Sequence, residues 1–383
     1  MEQLSPSEKK AWPMVRLGDV CEFVYGFPFD SSAFNEEGQG TPLIRIRDVL
    51  PGTTQTYTTQ SAPPQYNVAD GDLLVGMDGD FNLAQWKGGP ALLNQRVCMF
   101  KPKADKVSLG FIKHSLGKYL HAIWEKKPFA TVKHLSAKDL NAIFIPLPAL
   151  SIQREIVARL EKELTEEDRL AAHFKRIAER AEDEFKAELE ETFERVEGER
   201  VRLGDLGRVA MCKRVLKNQT SETGDIPFFK IGTFGKKADA FISQELFDEF
   251  SSHYSYPSKG DILISAAGTL GRTVVFDGTP SYYQDSNIVW LKHDGTRLFN
   301  AYLEYFYRLK PWEVSVGVTI PRIYNGDIER TKIPLPPLPS QRDIVAHLDA
   351  AKARCEKLKA AAGRGLNAAT KLRAALLSEA FEP

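Results

Sequence analysis

Two sets of side chains in this sequence are of the types that read nucleic-acid bases. In the first half they are Tyr25, Arg45, Arg47, Asp78, Asp80, Asn82, Gln85, Trp86, Lys87, Asn94, Gln95 and Arg96, gathered around a glycine-rich segment, with Lys133 and His134 further on. In the second half they are Lys213, Arg214, Lys217, Lys230, Lys236, Lys237, Thr269, Arg272, Tyr282, Tyr283, Gln284, Asp285, Asn287, Arg322 and Tyr324. Arginine can form two parallel hydrogen bonds with guanine, and asparagine or glutamine with adenine, while lysine, serine, threonine and backbone N–H groups hold phosphates. Any one of these residues suits a solvated surface or a polar core position equally well. The expectation of DNA contact therefore rests on the clusters.

The same residue types spell out no catalyst. Asp78, Asp80 and Asn82 open like a calcium loop, but Leu83 stands where the turn glycine belongs and Gly89 where the closing glutamate belongs. The segment GTLGR at 268–272 has glycines without the Lys-Ser/Thr of a phosphate loop, and reads better as a tight turn near a DNA backbone. No glycine-rich cofactor loop follows a first strand, and no Asn/Asp-Pro-Pro-aromatic segment of an adenine methyltransferase is found. Glu125 and Lys127 lack the Pro-Asp that a nuclease site would add. Cys21, Cys98, Cys212 and Cys355 have no paired spacing, which predicts free thiols and no structural zinc. No run approaches the roughly 18 apolar residues of a membrane span, and the first residues lack an apolar signal region. The expectation is a cytoplasmic, metal-free chain with no cofactor of its own.

What must position the two sets is a duplicated fold. VRLGDV at 15–20 returns as VRLGDL at 201–206, and PLIRIRDV at 42–49 is answered by PFFKIGTF at 227–234. GDLLVGMDGD, beginning at Gly71, is answered by GDILISAAGT, beginning at Gly260, and RVCMFKP at 96–102 by NIVWLKH at 287–293. IPLPALSIQREIVARLE at 145–161 matches IPLPPLPSQRDIVAHLD at 333–349 in 11 of 17 positions. The repeat of about 188 residues suits a whole domain plus a linker, and is too long for a solenoid. Short β-branched and aromatic runs bounded by Gly, Pro and Asp predict a mixed sheet in each copy. One amphipathic helix is expected at 107–124 and its counterpart at 299–313.

In both copies a proline strap then feeds a helix, because Pro fixes the backbone extended and removes N–H donors until the strap ends. The PxxP in IPLPPLP has no counterpart in IPLPAL, so a shared strap explains the prolines better than a peptide ligand does. Ile152, Ile156, Leu160, Leu164, Leu170, Phe174, Ile177, Ala181, Phe185, Leu189, Phe193 and Val196 recur mostly three or four apart. So do Ile344, Leu348, Ala351, Cys355, Leu358, Ala362, Leu366, Ala369, Leu372 and Leu376. This is the spacing of a helix–helix seam, and at about 1.5 Å per residue each arm is roughly 60–70 Å long. Net charge is zero, yet 151–200 hold 16 acids against 10 bases and 339–383 hold 8 bases against 5 acids. The two arms are each other's expected partner. The boundaries expected are globular 1–150, long helix 151–199, globular 200–338 and long helix 339–383.

With this order of parts, the segments GDLLVGMDGDFNLAQWKGGPALLNQRVC and GDILISAAGTLGRTVVFDGTPSYYQDSNIVWL make the chain resemble the DNA-specificity subunit of type I restriction–modification enzymes. The resemblance runs from Val15 to about Ser378. It implies an α+β protein: two similar mixed α/β target-recognition domains separated by two long helices forming an antiparallel coiled coil. It also implies that the chain is a non-catalytic reader of an asymmetric, bipartite site in double-stranded DNA. Two methyltransferase subunits using S-adenosylmethionine, and restriction (motor) subunits using ATP and Mg, are the implied partners. The specificity subunit of a combined methyltransferase–nuclease system shares this architecture, and a coiled-coil scaffold for proteins remains a rival of another class.

Overall fold

In a computed structural model, residues 12–103, 106–127, 132–312 and 322–381 are described. The chain divides into two compact units, Met1–His173 with Arg364–Pro383, and Phe174–Gly363.

The first unit is built on a four-stranded antiparallel sheet in the order Cys21–Tyr25, Val97–Pro102, Leu73–Gly76, Leu83–Gln85. Side chains alternate across a strand, and here both faces are covered. Leu73, Val75, Cys98 and Phe100 pack with Ile112, Leu116 and Leu120 on the helical side. Leu74, Val97 and Met99 pack with Ile44, Trp86 and Leu93 on the other. That second side is closed by a small sheet in which Thr41–Ile44 runs parallel to Ala91–Leu93. The strand Met14–Arg16 pairs with the strap strand Phe144–Pro146.

The second unit repeats these pairings. Its sheet runs Gly207–Ala210, Ile288–His293, Ile262–Ser265, Thr273–Val275, all antiparallel. Ile262, Ile264, Val289 and Leu291 face Tyr302, Leu303 and Phe306 of the helix Asn300–Arg308, while Leu263, Ile288 and Trp290 face the small sheet. Ile226–Phe229 and Tyr282–Tyr283 are the parallel pair, and Arg200–Arg202 pairs with the strap strand Lys332–Pro334.

Two local expectations need correction. The helix expected over 107–124 is two helices, Leu109–Ser115 and Gly117–Lys126, meeting at Leu116; glycine at 117 weakens a helix interior, and the second helix starts from it. The helix Leu150–Arg195 and the helix Leu338–Phe381 are continuous, but Leu170, Leu358 and Leu372 point outward, at 47%, 44% and 45% exposure. At 3.6 residues per turn a neighbour lies 100° round the helix. The line on the first helix runs through Leu164, Glu167 and Ala181, one step off Leu170. On the second it runs through Cys355, Lys359, Ala362, Ala369 and Arg373, one step off Leu358 and Leu372.

Charged residues hold those places because their stems can pack while their heads pair. In the second unit Lys359 Nζ meets Glu182 at 2.6 Å, and Arg354 meets both oxygens of Glu188 at 2.9 Å. In the first, Arg373 meets buried Glu167 at 2.6 Å and Asp168 at 2.9 Å, while Phe381 and Ala380 pack with Ile156 and Leu160. Within each unit the partner's number rises as the C-terminal helix's falls, so the helices pair antiparallel, acidic segment against basic.

Each helix is anchored by a glutamine that the sequence reading passed over. Gln153 and Gln341 are both 0% exposed. Gln153 Nε2 donates to Lys106 O (3.0 Å) and Pro148 O (2.8 Å), and its Oε1 accepts from Ser108 N. Gln341 Nε2 donates to Arg297 O (2.8 Å) and Pro336 O (2.9 Å), and its Oε1 accepts from Phe299 N. One amide thus ties strap, helix and the globular part of each unit together.

Candidate nucleic-acid interface

The glycine-rich turns sit where each sheet's central hairpin opens. In the first unit the strands Leu73–Gly76 and Leu83–Gln85 are joined through Asp78, Gly79, Asp80 and Phe81, with φ of 79° at Gly79 and 51° at Phe81. Left-handed backbone favours glycine; Phe81 tolerates it with its ring buried in the core. In the second unit Gly268 and Gly271 take φ of 67° and 72°. A tryptophan braces each turn: Trp124 Nε1 donates to Gly79 O at 3.0 Å, and Trp312, 188 residues on, lies so close to Gly271 that an added Cβ would stand 2.8 Å from its ring. The repeat offset was the signal for this pair, and neither was among the candidate residues.

Around the first turn the fold gathers Asp78, Asp80, Asn82, Asn94, Gln95, Arg96 and His134. Asp78 Oδ1 lies 2.6 Å from His134 Nδ1 and its other oxygen 3.5 Å from Arg96. Asn94 N donates to Ile44 O, which brings Arg45 beside the group, and Asn94 Oδ1 caps Gln95 N. Arg47 is exposed and faces Thr56 and Glu36. Lys133 is folded onto Trp124, its Nζ 3.3 Å from the ring centroid and donating to Trp124 O at 2.7 Å.

Gln85, Trp86 and Lys87 lie at the opposite end of the hairpin, where Trp86 N donates to Asp72 O and Lys113 reaches Gln85 Oε1. Lys87 is exposed there. Trp86 is a core residue, 1% exposed, with its indole N–H spent on Gly89 O. Tyr25 is also withdrawn: its hydroxyl is enclosed, has no partner among the described residues, and is pushed up to about 12 by burial. Neither offers a polar group to DNA.

In the second unit Arg214, Lys217, Lys230, Gln284, Asp285, Asn287 and Arg322 line one open concavity of about 560 Å³. Asp285 takes Arg214 Nε at 2.9 Å, Arg322 donates to Ser286 O at 2.6 Å, and Gln284 Oε1 receives Ile231 N. Lys230 pairs with Asp239 at 2.8 Å. Ser286, which adopts φ of 56°, shapes the strand entrance. Thr269 and Arg272 lie on the glycine turn, Arg272 donating to Phe234 O, and Tyr324 is exposed just past Arg322. Lys236 and Lys237 are exposed in the turn after Phe234. Lys213 lies apart, over the Tyr254 ring at 4.7 Å. Tyr282 and Tyr283 are corrections to the candidate set: as the strand parallel to Ile226–Phe229 they are core, and burial pushes Tyr283 up to about 12.

Among the described residues no group of three His, Cys, Asp or Glu could hold a metal, and no helix is long and apolar enough to cross a membrane. The four cysteines are free and buried.

The model of the type I restriction modification DNA specificity domain matches residues 9–171 and again 196–362. A type I restriction enzyme specificity subunit of Haemophilus influenzae is 44% identical over 290 residues, covering 72% of this chain and 74% of its own length. The EcoBI specificity subunit of Escherichia coli is 44% identical over 167 residues, 44% of this chain and 35% of that protein. A solved chain from work on assembly and conformational transition of the type I R-M system has a TM-score of 0.73 at 23% identity, covering 100% of this chain and 99% of that one. The HsdS subunit of Thermoanaerobacter tengcongensis has 0.56 at 22%, covering 97% and 96%. These two likenesses concern the fold.

Proposed function

The chain belongs to the type I restriction–modification DNA-specificity subunits, and from that premise we propose that it reads an asymmetric, split DNA site, one half with each unit, and positions two adenine methyltransferase subunits. The observation that carries this is a duplication reaching down to the strand order of the central sheet and its hydrogen bonds, while the residues at the matched turn positions differ. Two like frames with unlike surfaces suit two unlike half-sites. Joined in one chain, the second contact becomes effectively intramolecular once the first is made.

On this reading the chain recognises and its partners react. The methyltransferase subunits bind S-adenosylmethionine, take the target adenine out of the stack and methylate it; a motor subunit with ATP and Mg cuts unmodified DNA. A chain with no net charge releases few counterions on its own, so tight, salt-sensitive binding belongs to the assembly. The test is co-expression with the cognate methyltransferase subunit and mapping of methylated adenines. A split, non-palindromic motif is expected. A perfect palindrome, or nanomolar specific binding by the isolated chain, refutes the corresponding part.

A further inference from the structure

The backbone around the two glycine turns shares a set of matching contacts, although the second turn is one residue longer. In the first unit Met77 N donates to Arg96 O, Leu135 N to Met77 O and Gly76 N to Asn82 O, and Asp78 bridges His134. In the second, Ala266 N donates to Asn287 O, Ile323 N to Ala266 O and Ser265 N to Arg272 O, and Ala267 bridges Arg322. Four stations therefore correspond one to one: Asp78 with Ala267, Asn82 with Arg272, Arg96 with Asn287, His134 with Arg322. None carries the same side chain in both units.

Resting on the reading just proposed, we infer that these stations determine which bases the two half-sites contain, with Arg96 reading a guanine in one and Asn287 an adenine in the other. Arg96 is more than half exposed, and among the described residues its one partner is the carboxylate of Asp78, at a loose 3.5 Å. That leaves most of its fork of donors for the O6 and N7 acceptors of guanine. Asp78 is a positioning residue, since the carboxylate that orients Arg96 also holds the His134 ring. In the second unit no carboxylate occupies that station. Arg322 is instead turned onto Ser286 O, and Asn287 lines the concavity beside it. The Asn287 amide offers the donor and acceptor that match adenine N7 and N6.

The test uses the chain assembled with its methyltransferase, scoring methylation rates on duplexes with each base changed in turn. Arg96→Ala should lower the preference for guanine at one position of one half-site by roughly 5- to 160-fold, the range of a bidentate contact, and leave the other half-site unchanged. Asn287→Ala should do the same to an adenine in the other half-site. Arg96→Lys keeps the charge without the fork, so it should restore rate without restoring the guanine preference. Asp78→Asn should weaken that same guanine preference and no other. An unchanged motif for either alanine variant overturns the inference, as does an effect of both on one half-site. So does a variant complex that assembles and melts like the parent but methylates no sequence; if Arg96→Ala fails to assemble, Arg96→Lys is judged by the same criteria. A parent complex without a split motif would instead overturn the premise.

Discussion

Replacing Gln341 by leucine tests how the strap sets the arm in the second unit. Leucine is close enough in volume that little cavity forms, so the effect isolates the polar groups left behind. Phe299 N–H, Arg297 O and Pro336 O would each lose a buried partner. A stranded buried group costs about 1–3 kcal/mol. Local relaxation recovers part of the loss at three neighbouring groups, so the sum is about 2–5 kcal/mol. For a unit the size of 174–363, each kcal/mol moves the melting point by about 2–4 °C. Gln341→Leu should therefore lower the unfolding transition of the second unit by about 4–20 °C. Gln153→Leu should do the same to the first, because its three bonds are the same in kind. Differential scanning calorimetry resolves the outcome. Transitions within about 2 °C of the parent for both variants would refute the view that these amides hold the straps.

Other consequences follow from the same packing. Arg373→Ala strands the buried Glu167 carboxylate and should cost about 1–3 kcal/mol, discounted from the buried-pair range because Arg373 is partly exposed; Arg354→Ala should cost under about 1 kcal/mol, and equal losses by urea denaturation would contradict this ranking. Burial holds the His114 ring below its ordinary value of 6.5, against the pull of Glu161. As pH falls through 6.5 the unfolded chain takes up a proton that the folded ring resists, so stability present above 6.5 declines. His114→Gln should flatten that decline for the first unit, and an unchanged melting-point profile between pH 7 and 5 would count against it. Trp86→Ala should destabilise by about 3–5 kcal/mol, while Trp86→Phe should leave the methylated motif untouched; a changed motif for the phenylalanine variant would return Trp86 to the reading surface. Leu170→Glu and Leu358→Glu should each change stability by no more than about 0.5 kcal/mol, and a loss of several would restore the leucine-based seam.

The duplication, the straps, the two long helices and their mutual pairing were legible in the sequence because each is local. Identities recur near one offset, prolines exclude helix, and apolar residues recur at helical spacing. The phase of the seam was not, since Glu167, Lys359 and Arg373 hold seam positions by pairing with residues on the other helix. Trp86, Tyr282 and Tyr283 are polar-tipped aromatics whose types suit a surface as well as a core, and only the small sheet packed on each central sheet buries them. The stations at the turns were beyond reach altogether. Asp78 and His134, or Ala267 and Arg322, are more than fifty positions apart, and only long-range backbone hydrogen bonds make them neighbours. Sequence by itself determined that there are two copies of one frame and which residue types they carry; tertiary structure decided which of those residues meet, because a hydrogen bond depends on distance in space and is indifferent to separation along the chain.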